Sequence, residues 1–376
     1  MKPEQIYLDH NASTPIDPLV AEAMLPFLRD AFGNPSSDHW AARSALEAVE
    51  AARGQVADFM GANLDEIVFT SGGSEANNMA LKGVAFALRE RGNHIITTAV
   101  EHPAIHEPCE FLKKLDFCVT YVPVDSTGKV DPERIASELT DRTILVSVGH
   151  ANGEVGTVQP LAEISQYLKP AGILFHSDAA QSAGKISIDV DAIGVDMLSL
   201  AGHKMYAPKG VGALYIRRQI QIEPLIHGGG HERGHRSGTE SALLTVALGK
   251  ASQLVADLSP MNRVRELRDW FWRELKQEFG DRVELNGHPT DRLPNTLNVS
   301  FVDQIGPDLL SSLEGIAVST GSACHTGSAE LSPVLRAMNV APKTGLGAIR
   351  FSLGRGTVKR EIDTVLAELR ARLNDS

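Results

Sequence analysis

The chain has 376 residues, with 36 Lys and Arg against 47 Asp and Glu, a formal net charge of -11 at pH 7. That acidic balance argues against nucleic acid as the main partner, because phosphate binding needs a basic footprint. Hydrophobic residues make up 43% and charged residues 22%, an ordinary globular mix, and no apolar run nears the ~20 residues of a membrane helix.

The first segment, "MKPEQIYLDHNASTP", lacks the apolar stretch of a secretory signal, so a cytoplasmic protein with no membrane partner is expected. "PLVAEAMLPFLRDAF" and "SALEAVEAARGQVADFMG" read as helices, the second stopping near Gly61. From there strands and helices alternate. "EIVFTSGG", "HIITTAVEH", "CVTYVPV", "TILVSVGHAN", "ILFHSDAA", "VDMLSLAG" and "GVGALYI" are short apolar strands. Between them "SEANNMALKGVAFALRERG", "AIHEPCEFLKKL", "DPERIASEL" and "PLAEISQYLKPAG" have helical spacing. This alternation predicts an α/β fold, a mainly parallel sheet flanked by helices.

The pattern then changes. A long helical stretch over 241–280, with Pro260 as a break, leads into "TLNVSFV", "GIAVSTGSAC", "SPVLRAM", "GAIRFSLG" and a last amphipathic helix, "KREIDTVLAELRARL". We expect a large domain over 16–260 and a smaller α+β domain built from 1–15 and 261–376.

In an open α/β sheet, ligands gather at the carboxyl ends of the strands, and the polar residues fall there. Ser71, Gly72, Gly73 and Ser74 lie between a strand and a helix. They make either a phosphate site at the free N–H groups of that helix or a simple serine N-cap. Asp178 and Lys204 each end a strand. They read either as a salt bridge or as two groups facing one cofactor. Pyridoxal phosphate needs such a set: a Schiff-base Lys, an Asp at the pyridine nitrogen and a helix N-terminus for the phosphate. His102, at another strand end, is placed to move protons beside the ring. The cysteines are Cys109, Cys118 and Cys324, with neither a disulfide framework nor zinc spacing. Cys109 and Cys118 are expected to be buried and inert. Cys324 lies in "STGSACHTGSAELSP", a stretch rich in small residues and of the kind that moves. His227, His231 and His235 are spaced by four, but three glycines beside them oppose the helix that would align them, so no metal is expected.

"YLDHNASTP", "GNPSS", "FTSGGSEANN", "ANGEVGTVQP", "HSDAAQSAGK", "AGHKMYAPKGVGALY", "GGGHERGHRSGTE", "LPNTLNVSF", "GSACH" and "IRFSLGR" occur in this order along nearly the whole chain. Together they resemble the cysteine desulfurases and selenocysteine lyases, fold-type I pyridoxal-phosphate enzymes of the class V aminotransferase group. The resemblance implies a transferase that converts L-cysteine to L-alanine and leaves the sulfur on Cys324 as a persulfide. The alternatives are a lyase acting on L-selenocysteine and a non-catalytic sulfur-transfer homologue. It implies Lys204 as the Schiff-base lysine and the base at Cα, Asp178 at the pyridine nitrogen and His102 stacked on the ring as proton shuttle. Gln181 and Asn152 would meet the phenolic oxygen region. Gly73, Ser74 and His203 would hold the phosphate, with Thr239 reaching across a homodimer. Arg355 would clamp the substrate carboxylate, with Asn11 and Asn152 beside it. Two positions depart from the pattern: Ala201 replaces a hydroxyl residue, and Gly153 stands where many relatives have a second Asn. The chain also stops soon after its last helix, where many relatives continue into a tail that binds an iron–sulfur scaffold. The sulfur acceptor stays unnamed.

Overall fold

The computed structural model describes residues 5–320 and 330–374. Its strands, in chain order, are β1 (Ile6–Tyr7), β2 (Ile67–Thr70), β3 (His94–Thr98), β4 (Cys118–Val122), β5 (Thr143–Ser147), β6 (Leu174–Asp178), β7 (Met197–Ala201), β8 (Gly212–Ile216), β9 (Val283–Asn286), β10 (Thr296–Phe301), β11 (Ile316–Ala317) and β12 (Ala348–Ser352). Seven of them form one sheet in the order β2-β8-β7-β6-β5-β3-β4. Only β8 runs against its neighbours; the remaining pairings are parallel.

The central strands are apolar runs because both of their faces are covered. Ile96, Val146, Leu198 and Tyr215 enter one apolar cluster, and their chain neighbours Ile95, Leu145, Met197 and Leu214 enter another. That is the two-residue alternation of a pleated strand. Helices Trp40–Met60, Leu161–Ala171 and Ala242–Ala256 cover the first face, and Gly73–Ala87 and Pro103–Lys113 the second.

One local expectation is sharpened and another changes. The long helical stretch breaks beside Pro260 into two helices, Ala242–Ala256 and Ser259–Phe279, and Pro260 sits in the first turn of the second. A proline is favoured there because its missing N–H has no partner to lose. Cys118 is exposed, not buried, because β4 is the edge of the sheet. Cys109 is buried, and burial pushes its thiol up to about 12.

A second architecture follows residue 280. Strands β12-β10-β9 form an antiparallel sheet, and β1 pairs in parallel with β11. Ile6 and Leu8 share an apolar cluster with Phe271, Val299, Ile349, Phe351 and Leu369. Among the described residues no helix is long and apolar enough to cross a membrane.

Candidate active site

The carboxyl ends of β2, β3, β5, β6 and β7 open onto one cleft of about 500 Å³. Its lining includes Gly73, Ser74, His102, Asn152, Asp178, Gln181, His203, Lys204 and Asn11, so one concavity collects most of the residues singled out from the sequence.

Asp178 is the last residue of β6, beside Ser199 of β7. Its carboxylate accepts from Asn77 Nδ2 (2.7 Å) and from the Ala180 N–H (2.8 Å). Lys204 closes the single turn Gly202–Lys204 that follows β7. Its ammonium donates to the backbone oxygens of Asn11 (2.5 Å) and Ala12 (2.9 Å), and it forms no salt bridge with Asp178. Burial, and then the charge of Arg350, bring Lys204 down to about 8, with Asp9 and Asp178 pulling the other way. The two groups are thus separately anchored on one cleft, which discards the salt-bridge reading.

The helix Gly73–Ala87 has Gly72 as N-cap, at φ 151°, and no side chain caps it. The serine-cap reading fails for the same reason, and the Gly73 and Ser74 N–H groups find no acceptor among the described residues. Ala201 lines the cleft and presents a methyl where the resemblance implies a hydroxyl in relatives. His102 is the N-cap of Pro103–Lys113, its Nδ1 accepting from the Ala104 N–H (3.0 Å). That bond assigns the proton to Nε2. Burial holds the imidazole below its ordinary pKa, Asp178 opposes this and Lys204 adds to it. His203 falls to about 4 through burial, then through Lys204, Lys209 and Lys185.

Asn152 uses its amide on its own turn. Its Oδ1 accepts from the Glu154 and Val155 N–H groups, and its Nδ2 donates to Val100 O. Asn11 is tied similarly to Gly153 O, Thr296 and Asn295. Both line the cleft as fixed walls.

Two expected residues stand apart. Arg355 is not in the cleft: its guanidinium pairs with Asp17 (2.7 Å) and lies over the Tyr206 ring (3.9 Å) beside a different surface groove. Thr239 is exposed and away from the cleft. Cys324 lies outside the described residues. The guanidinium that does line the cleft is Arg350, on β12. It donates to Gly153 O (3.0 Å) and Asp9 Oδ1 (2.7 Å), and its buried Nε has no partner among the described residues. Sequence reasoning missed it although strand alternation marks it. Ile349 and Phe351 enter the apolar cluster, so Arg350 faces the other way. Glu101, also missed, bridges the rim by accepting from Thr98 Oγ1 (2.7 Å) and the Gly149 N–H (3.0 Å); burial lifts it to about 7.

The segment with His227, His231 and His235 is not a helix. It holds one turn, Glu232–Gly234, with Arg233 at φ 55°. Its anchor is Glu232, buried against Arg53 Nη1 (2.6 Å) and the Phe69 N–H (2.9 Å). Among the described residues no group of three or more His, Cys, Asp or Glu is arranged to hold a metal.

The class-V aminotransferase family model matches residues 6–365. The chain is 50% identical over 366 residues to the cysteine desulfurase IscS of Dictyoglomus turgidum, covering 96% of this chain and 93% of that one. It is 45% identical over 365 residues to the cysteine desulfurase IscS of Methanosarcina thermophila, covering 96% and 90%. A solved NifS-like protein superposes with a TM-score of 0.93 at 38% identity, covering 99% and 100% of the two chains. A structure described as SspA in complex with cysteine gives a TM-score of 0.84 at 38% identity, covering 94% and 100%.

Proposed function

The chain belongs to the class-V aminotransferase family, and from that premise we propose that it is a pyridoxal-phosphate-dependent cysteine desulfurase. It converts L-cysteine to L-alanine and receives the sulfur on Cys324. The observation that carries the reading is the meeting of Lys204, Asp178, His102, an uncapped helix N-terminus and Arg350 on one cleft.

The donor set supports the cofactor. The open N–H groups of Gly73 and Ser74, with His203 alongside, suit a phosphate. Asp178, held by Asn77 and Ala180, suits a protonated ring nitrogen. When bound, pyridoxal phosphate supplies an electron sink for the charge left at Cα when its proton departs. A pKa of about 8 leaves Lys204 partly neutral near neutral pH, as a nucleophile and a proton carrier at Cα require. His102, with its proton on Nε2, donates and retrieves a proton on the cleft side. Arg350 takes the role first expected of Arg355: its fork engages the substrate carboxylate. Cys324, as thiolate, attacks the substrate sulfur. The Cβ–S bond breaks, an S–S bond forms, and alanine leaves as Cys324 keeps the persulfide.

A homodimer is part of the proposal. Thr239, exposed and off its own cleft, is free to serve a partner's phosphate, and Phe32 and Trp40 are 81% and 83% exposed, apolar surface suited to an interface. A domain division near residue 260 is supported by the cluster that joins Ile6 and Leu8 to residues 261–373. A reducing, cytoplasmic setting is supported by Cys109 and Cys118, both free.

The test is alanine release from L-cysteine and L-selenocysteine by protein loaded with pyridoxal phosphate. Wild type releases alanine from L-cysteine, whatever its rate with L-selenocysteine. Lys204→Ala abolishes both reactions and changes the visible spectrum; an unchanged spectrum sinks the Lys204 assignment. Negligible turnover of cysteine beside rapid turnover of selenocysteine makes the protein a lyase for the heavier chalcogen.

A further inference from the structure

Lys185 is buried, lines a small pocket together with Lys204, and has no carboxylate within salt-bridge distance among the described residues. Burial, then the charges of Lys204 and Arg350, hold its amine well below the ordinary lysine pKa, and a buried amine is kept only where its hydrogen bonds are well made. Its two bonds both go to one residue: Nζ donates to the backbone oxygen of Gln181 (2.9 Å) and to Gln181 Oε1 (3.1 Å). The opposite end of the same amide, Gln181 Nε2, donates to Asn11 O (3.0 Å). Asn11 O also accepts from Lys204 (2.5 Å). The chain Lys185–Gln181–Asn11 O–Lys204 therefore runs from an interior amine to the amine that carries the chemistry.

An amide side chain has two nearly isosteric ends, so something must decide which one faces a ligand. Here two neighbours decide together: Asn11 O can only accept and takes Nε2, and Lys185 Nζ, already bonded to the Gln181 backbone oxygen, meets Oε1. Space matters too. A Cβ on Gly153 would stand 2.8 Å from Gln181 Cγ and Nε2, so the glycine leaves room for this rotamer. We propose that Lys185 is a positioning residue: it locks the Gln181 amide with Oε1 inward and the Nε2 hydrogens on the cleft side. Gln181 then works at the bound cofactor as a hydrogen-bond donor to an electron-rich ring oxygen, never as an acceptor. This rests on the pyridoxal-phosphate reading above. The charged and titratable groups around the chain are Lys204, Arg350, His10, His102, His203, Lys209, Asp9 and Asp178, and they are left in place by the substitutions below.

The test is a double-mutant cycle read by spectroscopy on protein loaded with pyridoxal phosphate. The quantity is the pH midpoint of the cofactor's visible absorption change. A donor at the ring oxygen draws electron density from the Schiff-base nitrogen and lowers that midpoint. Lys185→Met removes the donor at Oε1, leaves the amide held at Asn11 O alone, and is expected to raise the midpoint by about one pH unit, the equivalent of one hydrogen bond. Gln181→Ala raises it similarly, and Lys185→Met adds nothing in the Gln181→Ala background. A role confined to folding moves thermal stability in both backgrounds and leaves the midpoint alone. The inference is overturned if Lys185→Met leaves the midpoint within 0.2 unit, or shifts it equally with Gln181 removed. Should Lys185→Met not fold, Lys185→Gln carries the same cycle. It is one bond too short to reach Gln181 Oε1, and the same two outcomes decide. A wild-type protein that shows no visible absorption with pyridoxal phosphate refutes the cofactor reading instead, so the two failures are told apart.

Discussion

The two arginines of "IRFSLGR" separate this account from a reading of the sequence alone. Arg350 lines the cleft, with its Nη atoms on Gly153 O (3.0 Å) and Asp9 (2.7 Å) and its buried Nε without a partner among the described residues. Arg350→Lys keeps a positive charge for Asp9 but removes the planar fork. The loss to a substrate carboxylate is one charge-assisted hydrogen bond, about 1.5–3 kcal/mol. That corresponds to a fall of roughly 10- to 150-fold in kcat/KM. Arg355→Lys is the control. It gives up the fork on Asp17 and the stacking on Tyr206, about 1 kcal/mol of stability, and is predicted to leave kcat/KM within about twofold. The assay is steady-state alanine release against L-cysteine concentration, with thermal unfolding measured on the same samples. If Arg355→Lys lowers kcat/KM and Arg350→Lys spares it, the assignment is wrong.

Other expectations follow from the same geometry. Capture of pyridoxal phosphate by cofactor-free protein requires a neutral Lys204. With that amine lowered to about 8, the capture rate should climb about fivefold between pH 7 and 8 and level off above about pH 9; a flat profile contradicts the lowered pKa. The sign for stability is the same. Because the folded pKa lies below the unfolded one, Lys204 opposes folding below about pH 8, and this penalty fades as pH rises from there toward the ordinary lysine value near 10.5. Glu232→Gln strands the Arg53 guanidinium, whose side chain is 3% exposed. Denaturant titration of the cofactor-free protein should show a loss of about 3 kcal/mol; a change under about 0.5 kcal/mol would mean that Glu50 and Ile67 O, its other partners, suffice. Asp178→Asn should keep the cofactor but lower kcat by about 100-fold or more, measured by alanine release at saturating cysteine.

Much of the fold was legible because its strands are short apolar runs punctuated by glycine and polar residues, and a buried parallel sheet leaves that trace. Lys204, Asp178 and the Gly73 helix start were legible because they interrupt such runs at their carboxyl ends. Sheet order was not. That β4 is an edge, and Cys118 therefore exposed, depends on crossovers that local pattern does not encode. Arg355 misled because it sits in the same short motif as Arg350. It follows Gly354, past the end of the strand, where alternation no longer fixes its direction. Lys185 left no signal at all: a lysine four residues after a glutamine usually marks a solvated helix face, and only tertiary packing buries this one.

The central claim is that sulfur passes to Cys324. The direct measurement is mass analysis of the peptide bearing Cys324 after one turnover with L-cysteine and no acceptor, with alanine counted in the same sample. The account predicts one added sulfur on that peptide per alanine formed, and no alanine from the Cys324→Ala variant. Alanine released from L-cysteine by Cys324→Ala at the wild-type rate would contradict it.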